Sequence, residues 1–222
     1  MTIDDKTFFL NSLNQINIKL DYDILEKILL YYEYLLIKNK SVNLISRQNN
    51  FQDGIITHLV DSLSPLQVDF PNDLKLLDLG SGGGLPGIPL KIANPGWCVT
   101  LIESKAKKCV FLNEMAEKFG EGRIKVLNKF VDKNCVSLSD EIGLFDVITV
   151  RAVAKLSSLI ITVSHLIKSS GYLVAYKGPN YLEEFIEVEK YLKKYRMKFD
   201  KKIEYILPIN NAKRILLFFQ KY

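Results

Sequence analysis

The sequence predicts an α/β fold in which a mostly parallel seven-stranded sheet has helices on both faces, ends in an antiparallel hairpin and follows a helical N-terminal extension. From Lys75 onward, apolar runs typical of buried strands alternate with segments of helical period, which indicates a parallel sheet. The last two apolar runs, residues 201–208 and 213–220, are separated by only "INNA". That connection is too short for a crossover, so these strands should pair antiparallel.

Helical patterning characterises the first part of the chain. Residues 4–40 place apolar side chains near the helical period, and a second, short helix over "GIITHLVDSLSPL" should close before Pro65. We therefore divide the chain into a helical extension, residues 1–70, and a sheet domain, residues 71–222.

The sheet domain begins with five predicted parallel strands that are joined by helices. The strands are "KLLDLG", "WCVTLIES", "RIKVLN", "FDVITVRA" and "GYLVAYKG". Helices are expected from about Pro86 and over "KKCVFLNEMAEKFG", "SSLIITVSHLIKS" and "NYLEEFIEVEKYLKKY".

A glycine-rich loop follows the first strand, in "LLDLGSGGGLPGIPL". Gly82 starts a G-x-G-x-x-G pattern of dinucleotide-binding proteins, and Asp78 starts D-x-G-x-G-x-G, the first motif of S-adenosylmethionine-dependent methyltransferases. Glycines let backbone N–H groups approach a ligand carboxylate or phosphate. The alternative is a tight turn without a ligand. A P-loop is excluded because no Lys-Ser or Lys-Thr follows the glycines.

Glu103 ends the second strand about twenty residues beyond the loop, where an acid can accept hydrogen bonds from ribose hydroxyls. NAD and S-adenosylmethionine both carry such a ribose, and a solvated acid is the alternative. Three features favour S-adenosylmethionine: Asp78, the antiparallel final pair, and a third strand end that would place residues 129–132 beside the adenine. The predicted architecture is therefore Rossmann-like, as in class I methyltransferases.

The methyl acceptor should lie near the ends of the fourth and fifth strands. The Asp or Asn-Pro-Pro-aromatic motif of enzymes that methylate exocyclic amines is absent from "FDVITVRAVAKLS". Arg151 and Lys177 stand there instead, and such cations can position phosphate or donate hydrogen bonds to guanine O6 and N7. The alternative for each is a structural ion-pair partner.

Positive charge is concentrated in the sheet domain. The net charge is +5, and residues 1–75 carry 7 Lys and Arg against 10 Asp and Glu, whereas residues 76–222 carry 23 against 15. A moderately basic domain suits a polyanion such as RNA, and a lysine-rich solvated surface is the alternative.

The sequence shows no sign of export or of a membrane span. The N-terminus is acidic where a signal peptide would be basic, and the apolar stretch "ILLYYEYLLI" is short. Cys98, Cys109 and Cys135 are interpreted as reduced core thiols of a cytoplasmic protein. With only His58 and His165 as further ligands, no metal site is expected.

Five segments together resemble one family, the bacterial 16S ribosomal RNA guanine-N7 methyltransferases, also called glucose-inhibited division protein B. They are "NLIS" (43–46), "HLVDSL" (58–63), "LLDLGSGGGLPGIPLKI" (76–92), "FDVITVRAVAKL" (145–156) and "YLVAYKG" (172–178). The resemblance runs from about residue 20 to the end of the chain. Its specific parts are the "GxPGxPL" extension of the glycine loop and "RA" after the fourth strand.

The resemblance implies transfer of a methyl group from S-adenosyl-L-methionine to N7 of guanine 527 of 16S rRNA. It also implies a cytoplasmic enzyme, expected to be a monomer, that acts on 16S rRNA or the small ribosomal subunit without a membrane partner. The implied catalytic residues are Arg151 and Lys177, and Lys129 and Lys177 are the implied RNA contacts. The implied cofactor residues are Asp78, Gly80, Gly82, Leu85, Glu103, Ser104, Phe130, Val131 and Arg151.

The sequence departs from the family pattern at some of these positions. Lys129 stands where members commonly have Arg, and Val131 stands where an acid is common. The family's C-terminal basic position corresponds to either Lys213 or Arg214. His58 is interpreted either as an active-site contact or as a packing or capping residue of the N-terminal helices.

The chemistry of the implied acceptor fits the residues available. Guanine N7 has a lone pair and no proton, so attack on a sulfonium methyl needs alignment and charge stabilisation but no general base. Three alternatives stay open from the sequence: a methyltransferase of another RNA, a nicotinamide enzyme, and a non-catalytic RNA-binding protein.

Overall fold

A computed structural model of the chain describes residues 3–46, 50–132, 134–135, 138–151, 154–209 and 211–222. Its centre is a seven-stranded sheet. The strands are β1 Lys75–Leu79, β2 Cys98–Glu103, β3 Ile124–Asn128, β4 Phe145–Arg151, β5 Ile167–Lys177, β6 Met197–Ile206 and β7 Lys213–Lys221.

The strand order, β3-β2-β1-β4-β5-β7-β6, confirms the predicted fold class. Strands β1 to β5 run parallel, and β7 pairs antiparallel with both β5 and β6. The chain reverses its direction across the sheet between β1 and β4, because β2 and β3 lie on one side of β1 and β4 lies on the other. Open α/β sheets bind ligands at such a switch point, beyond the carboxyl ends of the strands.

The helices surround this sheet. They are α1 Ile3–Gln15, α2 Tyr22–Asn39, α3 Phe51–Gly54, α4 Asp61–Leu63, α5 Gly87–Ala93, α6 Ala106–Phe119, α7 Leu138–Ile142, α8 Leu156–Val163 and α9 Leu182–Leu192. A π-helical turn, Ile55–Val60, joins α3 to α4, and a 3-10 turn, Ser64–Gln67, follows α4.

The N-terminal helices differ from the prediction in two ways. The helix expected over residues 4–40 is two helices, since the chain turns at Asn17, where φ is 59°. Asn tolerates this left-handed conformation, and a residue in this conformation interrupts a right-handed helix. The second predicted helix begins earlier, at Phe51, and the chain continues through Pro65 as a 3-10 turn. Proline is tolerated there because the first residues of a helical turn need no N–H partner.

Two further differences lie in the second half of the chain. The helix predicted over residues 157–169 ends at Val163, because Ile167 already pairs with Phe145 in the parallel ladder of β4 and β5. The short helix α7 was not predicted. Ala152, part of the "RA" signature, lies outside the described residues.

The hydrophobic core consists of two clusters, one on each face of the sheet. The first contains α1, α2 and the 55–63 segment together with sheet residues such as Leu76 and Phe218. The second contains sheet residues such as Ile148 with α8 and Val188 of α9. Because the N-terminal helices and the sheet share one core, the helices cover a sheet face directly. The division of the chain at residue 70 stays a prediction.

The three cysteines occupy different environments. Cys109 is buried, as predicted, and Cys135 is half-buried. The core location expected for Cys98 is wrong, because this first residue of β2 is exposed. Among the described residues, no cluster of three or more His, Cys, Asp or Glu side chains is arranged to hold a metal ion. None of the helices in this part of the chain is long and apolar enough to cross a membrane.

Candidate active site

The glycine loop connects β1 to α5 at the switch point of the sheet. Gly80, Gly82 and Gly84 have φ values of 76°, 59° and 93°, which L side chains rarely adopt. The N–H groups of Gly80 and Ser81 donate to the carbonyl oxygen of Ile102, at 2.9 and 3.0 Å. The loop is therefore folded back against the end of β2, next to the predicted ribose-binding acid.

Asp78 lies buried beneath the loop. One carboxylate oxygen accepts the Gly87 N–H at 3.1 Å, and the other accepts the Thr149 hydroxyl at 3.2 Å. Burial raises the pKa of Asp78 to about 6, although these hydrogen bonds favour the charged form. A Cβ atom at Gly87 would lie 2.9 Å from Asp78 Oδ2, so glycine is required there. Asp78 thus fixes the shape of the loop from below.

Glu103 faces the loop from the end of β2. Its Oε2 accepts the Gly82 N–H at 3.0 Å, and its Oε1 accepts the Lys105 N–H at 2.8 Å and the Ser104 hydroxyl at 3.3 Å. Asn128, which sequence reasoning missed, donates to the Glu103 carbonyl oxygen at 3.0 Å and holds β3 beside β2. The structure therefore brings the glycine loop, Glu103 and Ser104 together.

The segment after β3 lies on the outer side of this group. The Lys129 N–H donates to the Glu103 carbonyl oxygen at 3.2 Å, and its ammonium pairs with Glu141 of α7. Phe130 is 74% exposed, while Val131 packs against the second core cluster. Leu85, at the other end of the loop, is buried in the first cluster. Contact of residues 130 and 131 with an adenine stays a prediction.

Arg151, at the end of β4, is bound to the N-terminal helical segment. Its Nε lies 3.1 Å from Asp61 Oδ2, its Nη1 donates to the Ser62 hydroxyl at 2.9 Å, and its Nη2 donates to the Thr57 carbonyl oxygen at 2.6 Å. The side chain keeps 19% exposure. The ion-pair interpretation of Arg151 thus has direct structural support, and a catalytic contact stays a prediction.

Asp61 is the centre of this network, although sequence reasoning did not single it out. Its carboxylate is buried and also accepts the Tyr205 hydroxyl at 2.7 Å, with Arg214 Nε 3.5 Å away. Asp61 therefore joins the N-terminal helices, β4 and the C-terminal hairpin. Only its position in the "HLVDSL" segment could have drawn attention to it.

Lys177, at the end of β5, has partners as well. Its ammonium donates to Glu184 at 2.7 Å and to the Ala154 carbonyl oxygen at 3.0 Å. Burial tends to raise the pKa of Glu184, but hydrogen bonds from Lys177 and from the Leu156 N–H outweigh it and hold the pKa below its usual value. Glu184, the third residue of α9, is another site residue that the sequence did not suggest.

These groups line one cleft of about 570 Å³ beyond the carboxyl ends of β4 and β5. Its walls are Asp61, Arg151, Ala154, Lys155, Tyr176, Lys177, Gly178, Glu184 and Arg214. Two of the three predicted RNA or catalytic cations, Arg151 and Lys177, therefore share a cleft. Lys129 follows β3, at the opposite edge of the sheet, and does not line it.

His58 is a packing residue in this structure. Its ring is buried, Nε2 lies 3.3 Å from the Ser46 carbonyl oxygen, and the ring centroid is 6.2 Å from that of Tyr32. Burial and the nearby Arg151 charge lower the pKa of His58 to about 4. The structure favours the packing interpretation, with a neutral imidazole at pH 7.

The N-terminal helices also contact the glycine loop. The Tyr31 hydroxyl, fully buried in α2, donates to the Gly83 carbonyl oxygen at 2.6 Å. A Cβ atom at Gly83 would lie 2.8 Å from Leu35 Cδ1 of the same helix. The sequence did not predict these contacts, which make α2 part of the wall that shapes the loop.

Comparison with known proteins identifies relatives of this chain. The family model GidB, described as rRNA small subunit methyltransferase G, matches residues 24–213. The chain is 34% identical over 198 residues to ribosomal RNA small subunit methyltransferase G of Syntrophus aciditrophicus, covering 89% of this chain and 81% of that protein. It is 36% identical over 200 residues to the protein of the same name from Lactobacillus helveticus, covering 88% and 82%.

Solved structures share the fold at low sequence identity. The ribosomal protein L11 methylase of Lactobacillus delbrueckii aligns with a TM-score of 0.55 and 18% identity, covering 80% of this chain and 92% of that one. A chain of a fibrillarin/Nop5p complex aligns with a TM-score of 0.56 and 18% identity, covering 74% and 80%. These similarities support the class I methyltransferase fold.

Proposed function

Because the chain belongs to the GidB family, rRNA small subunit methyltransferase G, we propose that it methylates N7 of guanine 527 in 16S rRNA. Membership makes it an rRNA methyltransferase with a methyl donor of the S-adenosylmethionine type. The observation that supports a guanine acceptor is the cleft at the ends of β4 and β5. In the sheet, β4 and β5 lie on one side of β1, and β2, which ends in Glu103, lies on the other side.

The cofactor half fits S-adenosyl-L-methionine. Gly80 and Gly82 have positive φ values and no side chains to cover the loop backbone, and Glu103 brings a carboxylate to the same place. A carboxylate in this position accepts hydrogen bonds from ribose hydroxyls. Ser104 and residues 129–131 extend the same surface towards the predicted adenine region. When bound, the cofactor supplies an electrophilic methyl group.

The acceptor half suits a nucleobase that must be positioned for methyl transfer but does not have to lose a proton. Both carboxylates of the cleft are occupied: Asp61 by Arg151 and Tyr205, and Glu184 by Lys177. Lys177 and the Leu156 N–H hold the pKa of Glu184 below its usual value, so this carboxylate is a weak base, which suits attack by a guanine N7 that carries no proton. We propose that Arg151 and Lys177, which line the cleft, donate to guanine O6 or to a flanking phosphate, and that the paired carboxylates offset the positive charge of the methylated ring.

Methyl transfer to small ribosomal subunits tests this proposal directly. Subunits from cells that lack the gene are incubated with purified enzyme and labelled S-adenosylmethionine, and N7-methylguanine is mapped by borohydride-induced strand cleavage. We expect one new cleavage, at guanine 527. Subunits whose target guanine is replaced by adenine provide the control. Transfer to another position or another atom would refute the assigned acceptor while leaving the methyltransferase assignment intact.

The remaining finer expectations concern the state of the enzyme. We propose that it acts as a monomer in the cytoplasm, without a membrane partner. The substrate is the 16S rRNA of the small subunit, and incubation with naked rRNA beside intact subunits identifies which form the enzyme prefers.

A further inference from the structure

The excess positive charge of the protein is confined to the last part of the chain. Residues 190–222 contain 10 Lys and Arg against 2 Asp and Glu, a net charge of +8, whereas residues 1–189 contain 20 against 23. This basic segment comprises the end of α9 and the hairpin of β6 and β7. The hairpin forms one edge of the sheet, with β6 outermost. The charge is therefore concentrated on one side of the molecule.

The closed end of the hairpin lies beside the proposed active site. In the antiparallel pairing of β5 with β7, Ile215 is opposite Lys177, which lines the cleft. In the pairing of β6 with β7, Ile206 is opposite Lys213. The turn that joins β6 to β7 therefore lies at the carboxyl ends of the parallel strands, as the cleft does.

A second groove, of about 480 Å³, continues from the cleft along this hairpin, and Arg214 lines both. The second groove is lined by Pro179, Tyr181, Leu182, Lys202, Glu204, Tyr205, Ile206, Lys213, Arg214 and Ile215. We name it the hairpin groove. It extends the acceptor site away from the cofactor.

The hairpin groove combines cations with exposed apolar surface. Lys202 and Lys213 are exposed on its walls, and Leu182 and Ile206 are 58% and 55% exposed. Lys202 is paired with Glu204, and both side chains are about half-exposed. An exposed ion pair of this kind contributes little stability, so a phosphate can replace Glu204 as the partner of Lys202. Cations beside apolar patches suit a nucleic acid strand, whose phosphates and bases need both.

We propose that the hairpin groove binds single-stranded rRNA next to the methylated nucleotide, with phosphates on Lys202 and Lys213 and a base or ribose on Leu182 and Ile206. This inference rests on the proposed function, because it gives the same substrate a second contact surface. Lysines on an edge strand also prevent association with other sheets. That role requires no particular position along the strand, whereas RNA binding requires the end near the cleft.

The test compares two double variants that remove the same charge from different ends of the basic segment. Lys202→Gln with Lys213→Gln alters the hairpin groove, and Lys193→Gln with Lys198→Gln alters exposed lysines at the far end. Binding of 16S rRNA is measured as a function of salt concentration, together with KM and kcat for methyl transfer and the Kd of S-adenosylmethionine.

We expect the groove variant to reduce the slope of log K against log salt by about 1.4, the value for two phosphates on a single strand. Its KM for RNA should rise roughly tenfold with the Kd of the cofactor unchanged, and the far-end variant should match the wild type. Equal slopes for the two variants would overturn the proposal that RNA binds in the hairpin groove. Absence of any methyl transfer by the wild type to small-subunit RNA would instead overturn the proposed function.

Photo-cross-linking gives a second measurement that does not depend on lysine substitutions. We introduce p-benzoylphenylalanine in place of Leu182 in one protein and in place of Lys198 in another. RNA should cross-link to the first and not to the second. Cross-linking at both positions, or at Lys198 alone, would contradict RNA binding in the hairpin groove.

Discussion

The two halves of the proposed active site are built in different ways. The cofactor half consists mainly of residues 78–104, a strand, a loop and the next strand, and backbone hydrogen bonds hold it. The acceptor half gathers Asp61, Arg151, Tyr205 and Arg214 from distant parts of the chain and depends on side-chain ion pairs. We therefore expect changes in the acceptor half to affect stability and activity together, and changes in the cofactor half to affect mainly cofactor binding.

The largest effect is expected from Asp61→Ala. The substitution leaves Arg151 without its buried partner and removes the acceptor of the Tyr205 hydroxyl. Breaking a buried pair in this way lowers the free energy of unfolding by about 3–5 kcal/mol, which urea denaturation measures. The control is Asp69→Ala, which changes an exposed aspartate just after the 3-10 turn Ser64–Gln67. Its free energy of unfolding should stay within about 0.5 kcal/mol of wild type. A small loss of stability in Asp61→Ala would show that the acceptor half does not depend on this ion pair, in contrast to the proposed difference between the two halves.

Arg151→Ala should reduce kcat/KM for methyl transfer about a hundredfold, because the cleft loses one of the two cations that we propose to position the acceptor. It should also lower stability, since the guanidinium binds Ser62 and the Thr57 carbonyl oxygen. Kinetics are measured at a temperature where circular dichroism shows a folded variant, with Arg151→Lys as the charge-preserving control. Wild-type kcat in a destabilised Arg151→Ala protein would limit Arg151 to a structural role.

Glu103→Gln tests the cofactor half with a smaller expected effect. The amide keeps the shape of the side chain but loses the charge that strengthens hydrogen bonds from ribose hydroxyls. The Kd of S-adenosylmethionine, measured by isothermal titration calorimetry, should rise about tenfold. Stability should fall by about 1–3 kcal/mol, because the amide NH2 replaces an oxygen that accepts a backbone N–H. Glu114→Gln, in an exposed pair on α6, serves as the control. Unchanged affinity would remove Glu103 from the cofactor site.

The smallest effect should come from Tyr31→Phe, where α2 meets the glycine loop. The loss of the hydrogen bond to the Gly83 carbonyl oxygen should cost about 1 kcal/mol of stability. Because the loop then loses a support, cofactor affinity should fall by less than a factor of about ten. Tyr34→Phe on the same helix is the matched control. Equal results for the two variants would mean that α2 does not support the loop.

The sequence predicted the parts of the site that depend on local chain chemistry. Glycines at Gly80, Gly82 and Gly84 have the left-handed backbone that the loop pattern requires, and Glu103 lies where its spacing after the loop indicated. The mostly parallel seven-stranded sheet and its antiparallel hairpin are also as expected. Periodicity and loop length are local properties, so a single sequence contains them.

Other features were not predictable from local patterns. Residues 157–169 have a helical period, yet Ile167 joins β5 because pairing with Phe145 outweighs local propensity. The partners of Arg151, Lys177 and Gly83 lie 90, 7 and 52 residues away, in Asp61, Glu184 and Tyr31. No sequence periodicity links residues 52 or 90 positions apart, and Lys177 and Glu184, although 7 positions apart, belong to different elements, β5 and α9. Lys129 and Lys177 looked similar in the sequence, but only Lys177 lines the cleft.

The α/β architecture, the glycine loop and the acid that faces it follow from residues close together in the chain, so the amino-acid sequence alone predicts them. Which charges meet depends on the folded chain, which places Asp61 between Arg151 and the hairpin and brings the basic hairpin beside the cleft. Electrostatic and packing interactions depend on distance in space, and only folding establishes that distance for residues far apart in the chain.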